Sequence, residues 1–224
     1  MAERLKAAPV VGWRLSPQVH GVAIGQDLVL LDVAADAYFC LVDAATSVAV
    51  EPDGRVETAD EEVRQTLADA GLIVQGLADR APVMTPARRD VEPALHAQAD
   101  GQTVSRLLRA TWIARRDLRR RSFAQLLAWA AARPAGRATP DPTPGLIAEA
   151  ARLATLRVWA PFDGACLARS YMALRYLRLC GHDAAWVIGV RTWPFSAHCW
   201  LQAGDVVLDD TAARVLPYRP ILVI

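Results

Sequence analysis

Two short apolar runs, Leu28–Val33 and Tyr38–Val42, open the readable pattern of the chain. Their length and their β-branched and aromatic content predict strands, with the intervening AADA as a turn and an earlier strand near Val22–Ile24. DAATSVAV predicts a short helix, and EPDGRVE a turn or wing. From Asp60 to Ala70 the period lengthens: Val63, Leu67 and then Leu72 follow one helical face. Acidic residues fill the first turn, where the helix dipole favours them, and Gly71 marks the stop. Strands followed by a helix predict a small α+β unit over residues 1–80.

Residues 81–101 mix Pro, Ala, Gly and charge without a period, which reads as a linker. Helical patterns dominate the start of the remaining stretch, residues 102–224. TVSRLLRATWIARRDLRRR puts Leu107, Leu108, Trp112 and Ile113 on one side and arginines on the other. SFAQLLAWAAARP starts at a Ser122 cap and breaks at Pro134, and GLIAEAARLATLRVWA is a further helix. In DGACLARSYMALRYLRLCG, Asp163 is the expected cap and Gly181 the stop. Leu167, Tyr171, Leu174 and Leu177 form the expected buried stripe, and Arg169, Arg175 and Arg178 the polar side. The chain closes on strand-type runs, AAWVIGVRTW, AHCWLQA, VVLDD and PILVI. Helices followed by strands predict a second α+β unit, an antiparallel sheet packed on helices.

Composition narrows the function classes. With 53% apolar and 22% charged residues among 224, the chain can bury a sizeable core, which argues against global disorder. A net charge of +1 gives no global argument for nucleic acid or an anionic membrane. The arginine-rich segment Arg106–Arg121 has Trp112 as its single interleaved aromatic and carries no nucleic-acid motif. It reads as a solvated helix face, with docking of a partner protein or an acidic peptide segment as the functional alternative. No run approaches the roughly 18 apolar residues of a membrane span, and the N-terminus lacks the apolar core of a signal peptide. The four cysteines, Cys40, Cys166, Cys180 and Cys199, form no CxxC pair, which fits a reduced, cytoplasmic protein.

The candidate chemistry lies in three separated places. A helix beginning at Asp163 puts Cys166 in its first turn, where the positive end of the dipole favours a thiolate and free N–H groups can face an oxyanion. A strand over AHCWLQA puts His198, Trp200 and Gln202 on one face, and Cys199 and Leu201 on the other. His198 is a candidate base toward a thiol. A turn at Ala203–Gly204–Asp205 would return the chain so that Asp210 comes beside His198 to orient its ring, with Asp209 as the neighbouring alternative. Each residue alone reads more simply as core or strand end; together they point to a cysteine nucleophile. Zinc is the chemical rival, but Cys166, Cys180, His182, His198 and Cys199 lack the usual ligand spacing, so neither a metal nor a cofactor is expected.

The runs CLARSYMALRYLRLCGHDAAWVIGV, PFSAHCWLQ and VVLDD resemble the lasso peptide maturation proteases, which have a transglutaminase-like or papain-like cysteine protease core. Relative to the usual family form of the second motif, Cys199 replaces a small Ala and Gln202 an acid. The resemblance covers roughly residues 100–224 and implies Cys166 as nucleophile, His198 as base and Asp210 as orienting carboxylate. DLVLLDVAADAYFCLVDAA and VRQTLADAGLI resemble the winged-helix-like leader-recognition domain of peptide-modifying systems. That resemblance implies that a precursor's leader adds as a strand at Tyr38, Phe39, Cys40 and Leu41 and packs against Val63 and Leu67. Together the two imply removal of the leader from a ribosomally made precursor. The core then passes to an ATP-dependent cyclase resembling asparagine synthetase. A non-catalytic peptide-binding scaffold and a transglutaminase-type acyl transferase are the alternatives.

Overall fold

The computed structural model describes residues 12–76, 84–92, 100–132, 141–156 and 166–224. The chain divides into two compact units, Met1–Ala81 and Pro82–Ile224. Asp163 and Pro134, the expected cap and helix breaker, fall outside the described residues.

The first unit is built from short antiparallel strands. β1 (Gly12–Leu15) pairs with β7 (Ile73–Gly76), and β2 (Val19–Ile24), β3 (Asp27–Asp32) and β4 (Ala37–Leu41) form a three-stranded sheet. Leu28 to Leu31 are all buried, so β3 is covered on both faces, which its unbroken apolar run anticipates. The expected short helix after β4 is a single 3₁₀ turn, Ala44–Thr46, leading into a hairpin of β5 (Val48–Val50) and β6 (Val56–Thr58). Helix α1 (Glu61–Asp69) begins where Asp60 Oδ1 accepts the amides of Glu62 and Val63 at 2.9 and 3.2 Å. It ends where the Leu72 amide returns to the Leu67 carbonyl around Gly71. Leu15, Val19, Leu28, Leu30, Val48, Val56, Leu67 and Ile73 make the core.

The second unit begins inside the stretch expected to be a linker. β8 (Arg89–Asp90) runs parallel to β11 (Val206–Val207), and Arg89 donates to both carboxylate oxygens of Asp205 at 2.9 and 2.6 Å. A two-residue strand leaves no period to read. The sheet order is β12 (Arg219–Val223), β9 (Ala185–Arg191), β10 (Ser196–Ala203), β11, β8, antiparallel except for the last pair.

Helices α2 (Gly101–Arg120), α3 (Phe123–Ala131), α4 (Pro144–Leu156) and α5 (Cys166–Leu179) precede the main strands, and α6 (Ala212–Val215) lies between β11 and β12. Ser122 and Gln125 close a reciprocal capping box at the start of α3. α5 is buried nearly all round: Ser170 to Leu174, Tyr176 and Leu177 are all inaccessible, so it is the central helix.

Two helices depart from the faces that their sequence patterns predict. Leu108 and Trp112 are 65% and 63% exposed, and α2 instead buries Thr103, Leu107, Ala110, Ala114 and Asp117. Small alanines let α2 lie close along α5, and the buried Asp117 receives Tyr171 Oη and the Arg175 guanidinium. The arginines of α5 are likewise not a solvated face. Arg169, Arg175 and Arg178 are largely buried and pair with Asp210, Asp117 and Asp183. Among the described residues, no helix is long and apolar enough to cross a membrane.

Candidate active site

Cys166 is the first residue of α5 and is half-buried. β10 brings two side chains toward it. His198 sits opposite Gly189 in the β9–β10 register and Cys199 opposite Ile188. A Cβ on Gly189 would lie 2.8 Å from the Trp200 ring and 3.0 Å from Tyr218 Cβ, so the bare backbone there lets both aromatics close over this part of the sheet. His198 is 6% exposed, its ring centroid 6.2 Å from that of Trp200 and 5.1 Å from that of Tyr218.

The hairpin then turns at Gly204, whose φ of 53° lies in the left-handed region that glycine adopts without a steric penalty. β11 pairs Val207 with Gln202, and the Leu208 amide extends the ladder to the Leu201 carbonyl. This register separates the two adjacent acids. Asp209 Oδ1 accepts the buried Leu201 amide at 2.7 Å. Asp210 Oδ2 lies 2.8 Å from His198 Nε2. With Nε2 held there, Nδ1 is the ring nitrogen left for the Cys166 thiol, which lies within hydrogen-bonding reach of the ring.

Asp210 also receives Arg169 Nη2 at 2.5 Å on the same oxygen, while its Oδ1 accepts the Thr211 amide at 2.9 Å. Arg169 stands one turn along α5 from Cys166, so the helix that carries the thiol also pins the carboxylate. An Arg at i+3 from a first-turn Cys was readable as a neighbour of the site; its assignment to a polar face hid it. Cys199 was the other residue missed. It lies on the strand face opposite His198, and that face packs on α5. Its thiol donates to Cys166 Sγ at an Sγ–Sγ distance of 3.4 Å. Gln202, by contrast, is taken up internally, by Trp200 Nε1 and by the Thr85 and Gly204 carbonyls.

The electrostatics follow from these contacts. The Cys199 thiol, the His198 ring and the Cys199 main-chain amide outweigh burial and pull the Cys166 thiol down to about 4. The hydrogen bond to Asp210, then that to Cys166, push His198 up to about 9 against the effect of burial. Burial raises Asp210, but His198, the Thr211 amide and Arg169 overcome it and hold the carboxyl down at about 2. The Cys199 thiol is driven upward by its bond to Cys166 and by burial. Between the Cys166 and His198 values the site is a thiolate–imidazolium pair with a carboxylate behind it. That set can form and break a thioester. Among the described residues, no group of three or more His, Cys, Asp or Glu is placed to hold a metal ion.

The six residues expected to meet a peptide lie in the first unit. Tyr38, Phe39, Cys40 and Leu41 pair with Leu31, Leu30, Val29 and Leu28 along β4, an edge of its sheet. Phe39 and Cys40 are exposed. Leu41 and Val63 pack partly on the core, and Leu67 is inside it at 6% exposure.

The Microcin J25-processing protein McjB of Escherichia coli is 45% identical over 49 residues, a match covering 22% of this chain and 24% of that protein. The chain thus spans about a quarter of that relative's length in the match. No solved structure matches. The sequence profile of the transglutaminase-like superfamily matches residues 108–223, more than half of the chain, taking in the Cys166 helix and the His198–Asp210 hairpin. The chain belongs to the transglutaminase-like superfamily.

Proposed function

We propose that the chain is a cysteine peptidase that removes the leader from a ribosomally made lasso peptide precursor. The observation that carries this reading is the arrangement of Cys166, His198 and Asp210 around the start of α5. The partial likeness to a microcin J25-processing protein supports the substrate class. The first unit fits a leader-recognition domain of winged-helix-like kind over residues 1–80, since β4 is an edge strand of its sheet among the described residues and an edge can take an added strand. Tyr38–Leu41 would supply the main-chain bonds, and Val63 would supply apolar contact more readily than the buried Leu67.

In this reaction the Cys166 thiolate attacks the carbonyl carbon of the last leader residue. The main-chain amide of Cys166 would donate to the oxyanion. His198 gives its Nδ1 proton to the departing amine as the C–N bond breaks, leaving a thioester on Cys166. Water then attacks, His198 takes its proton, and the C–S bond breaks to restore the thiolate. Asp210, held by Arg169, keeps the imidazole oriented throughout. The released core peptide passes to an ATP-dependent cyclase resembling asparagine synthetase, and the exposed arginines of α2 offer one docking face for it.

The test mixes the protein with a precursor from its own gene neighbourhood, the cyclase and ATP, and follows masses. Wild type is expected to release the leader and Cys166→Ala to leave the precursor intact. Equal cleavage by both would remove Cys166 from the mechanism. Intact precursor in both, with leader binding retained, would favour a binding scaffold. Adducts with added free amines in place of hydrolysis would favour acyl transfer.

A further inference from the structure

A second thiol at the nucleophile is a liability unless it has a use. Cys199 Sγ lies 3.4 Å from Cys166 Sγ, and Cys199 is fixed within the sheet by pairing with Ile188. Cys166 is the first described residue of its helix and is half-buried, whereas Cys199 is 4% exposed. Closing the gap to a disulfide length of roughly 2 Å needs only a small approach of the two sulfurs. Cys40 and Cys180 have no such neighbour among the described cysteines: all four thiols are free, and the 166–199 contact is the sulfur pair in reach.

We propose that Cys166 and Cys199 form a reversible oxidation site, in which a hydroperoxide oxidises Cys166 and Cys199 closes a disulfide that silences the nucleophile. The Cys166 thiolate attacks the terminal peroxide oxygen. The O–O bond breaks, the sulfur becomes a sulfenic acid, and the departing alkoxide or hydroxide takes the proton of His198. The Cys199 sulfur then attacks Cys166 Sγ; the S–O bond breaks, and the leaving hydroxide takes the Cys199 proton as water. Two thiols and one hydroperoxide give one disulfide, one alcohol or water, and one further water.

The order of events follows from the charges. While Cys166 is a thiolate, its charge and hydrogen bond keep Cys199 protonated, so the buried thiol is a donor and not a competing nucleophile. Oxidation of Cys166 removes that charge and with it the main restraint on Cys199. The disulfide also intercepts the sulfenic acid before a second oxidation to the irreversible sulfinic acid. The silencing rests on Cys166 being the nucleophile of the proposed reaction; the disulfide itself rests on the geometry alone.

The test treats the full chain with hydrogen peroxide, maps peptides without reduction, and then assays precursor cleavage before and after dithiothreitol. Wild type is expected to yield a Cys166–Cys199 linked peptide, to lose cleavage in step with the linked fraction, and to regain it on reduction. Cys199→Ala and Cys199→Ser, each compared with its own untreated activity, are expected to be inactivated without recovery, with Cys166 as sulfinic or sulfonic acid. Absence of the 166–199 link in treated wild type, or full recovery of the Cys199 variants, would overturn the proposal. If the link forms but Cys166→Ala cleaves as well as wild type, the peptidase reading fails while the oxidation site stands.

Discussion

Replacing His198 by Ala is expected to lower kcat/KM for leader cleavage by about three orders of magnitude or more and to reverse the slope of its alkaline pH limb. In wild type the rate should rise as Cys166 loses its proton near its value of about 4, hold level, and fall as His198 loses its proton near about 9. Below the first value the nucleophile is a thiol; above the second no acid remains for the departing amine. Without the imidazole, Cys166 loses a hydrogen-bond partner and a positive charge that stabilise its thiolate. Its ionisation then moves up toward the ordinary thiol value of about 8.5, and the residual rate should climb with pH where the wild-type rate falls. A pH profile of kcat/KM for both proteins checks this. A His198→Ala protein that retained the wild-type profile would remove His198 from the proton transfers.

The largest effect on stability is expected away from the site, at Asp117. Its carboxylate is 1% exposed and joins α2 to α5. Tyr171 Oη and the Arg175 guanidinium meet Oδ2, while Arg116 and Arg121 meet Oδ1 at 3.0 and 3.3 Å. Arg175 is itself pressed on the Trp129 ring, 3.4 Å from its centroid, so it cannot simply swing into water. Asp117→Ala strands that guanidinium and should cost about 3–5 kcal/mol, read as a lower urea midpoint. The sign with pH also follows. Burial raises the carboxyl, but the bonds from Arg116 and Tyr171 and the charges of Arg175 and Arg121 hold it below its ordinary value. The stabilisation is therefore present above the unfolded carboxylate value of about 3.9 and is lost as pH falls through the depressed folded value. The variant should show less acid destabilisation than wild type. An unchanged urea midpoint would mean that α5 is anchored by apolar packing alone.

Much of the site was legible because it depends on local pattern. The alternation in AHCWLQA, the glycine turn and the two-residue return strand fix where Asp210 comes back, since a strand register has a period of two. α1 was equally legible from its apolar face, its acidic first turn and Gly71 as stop, while Asp60, read as part of the helix, is its cap. What could not be read depends on contacts between distant segments. β1 and β7 pair across the whole first unit, so no connecting turn announces their pairing. β8 is held by Asp205 and by main-chain bonds to β11, which no side-chain pattern encodes. In α2, hydrophobicity misleads: Leu108 and Trp112 face out, and the inward stripe of Thr103, Leu107, Ala110, Ala114 and Asp117 includes a charge that Arg175, Tyr171, Arg116 and Arg121 make tolerable. Arg169 and Cys199 were missed for the same reason, since each gains its role only once α5 lies against β10.

The measurement that tests the account most directly is the rate of Cys166 alkylation by iodoacetamide as a function of pH, resolved by peptide mapping. Cys40, whose thiol is pushed upward by burial and by Asp27, serves as an internal reference. A Cys166 already ionised through its pairing with His198 and Cys199 should react at a nearly constant rate from about pH 5 to about pH 8, while Cys40 climbs steadily over that range. A Cys166 rate that rises in parallel with that of Cys40 would mean no preformed thiolate, and would contradict the active site described for this chain.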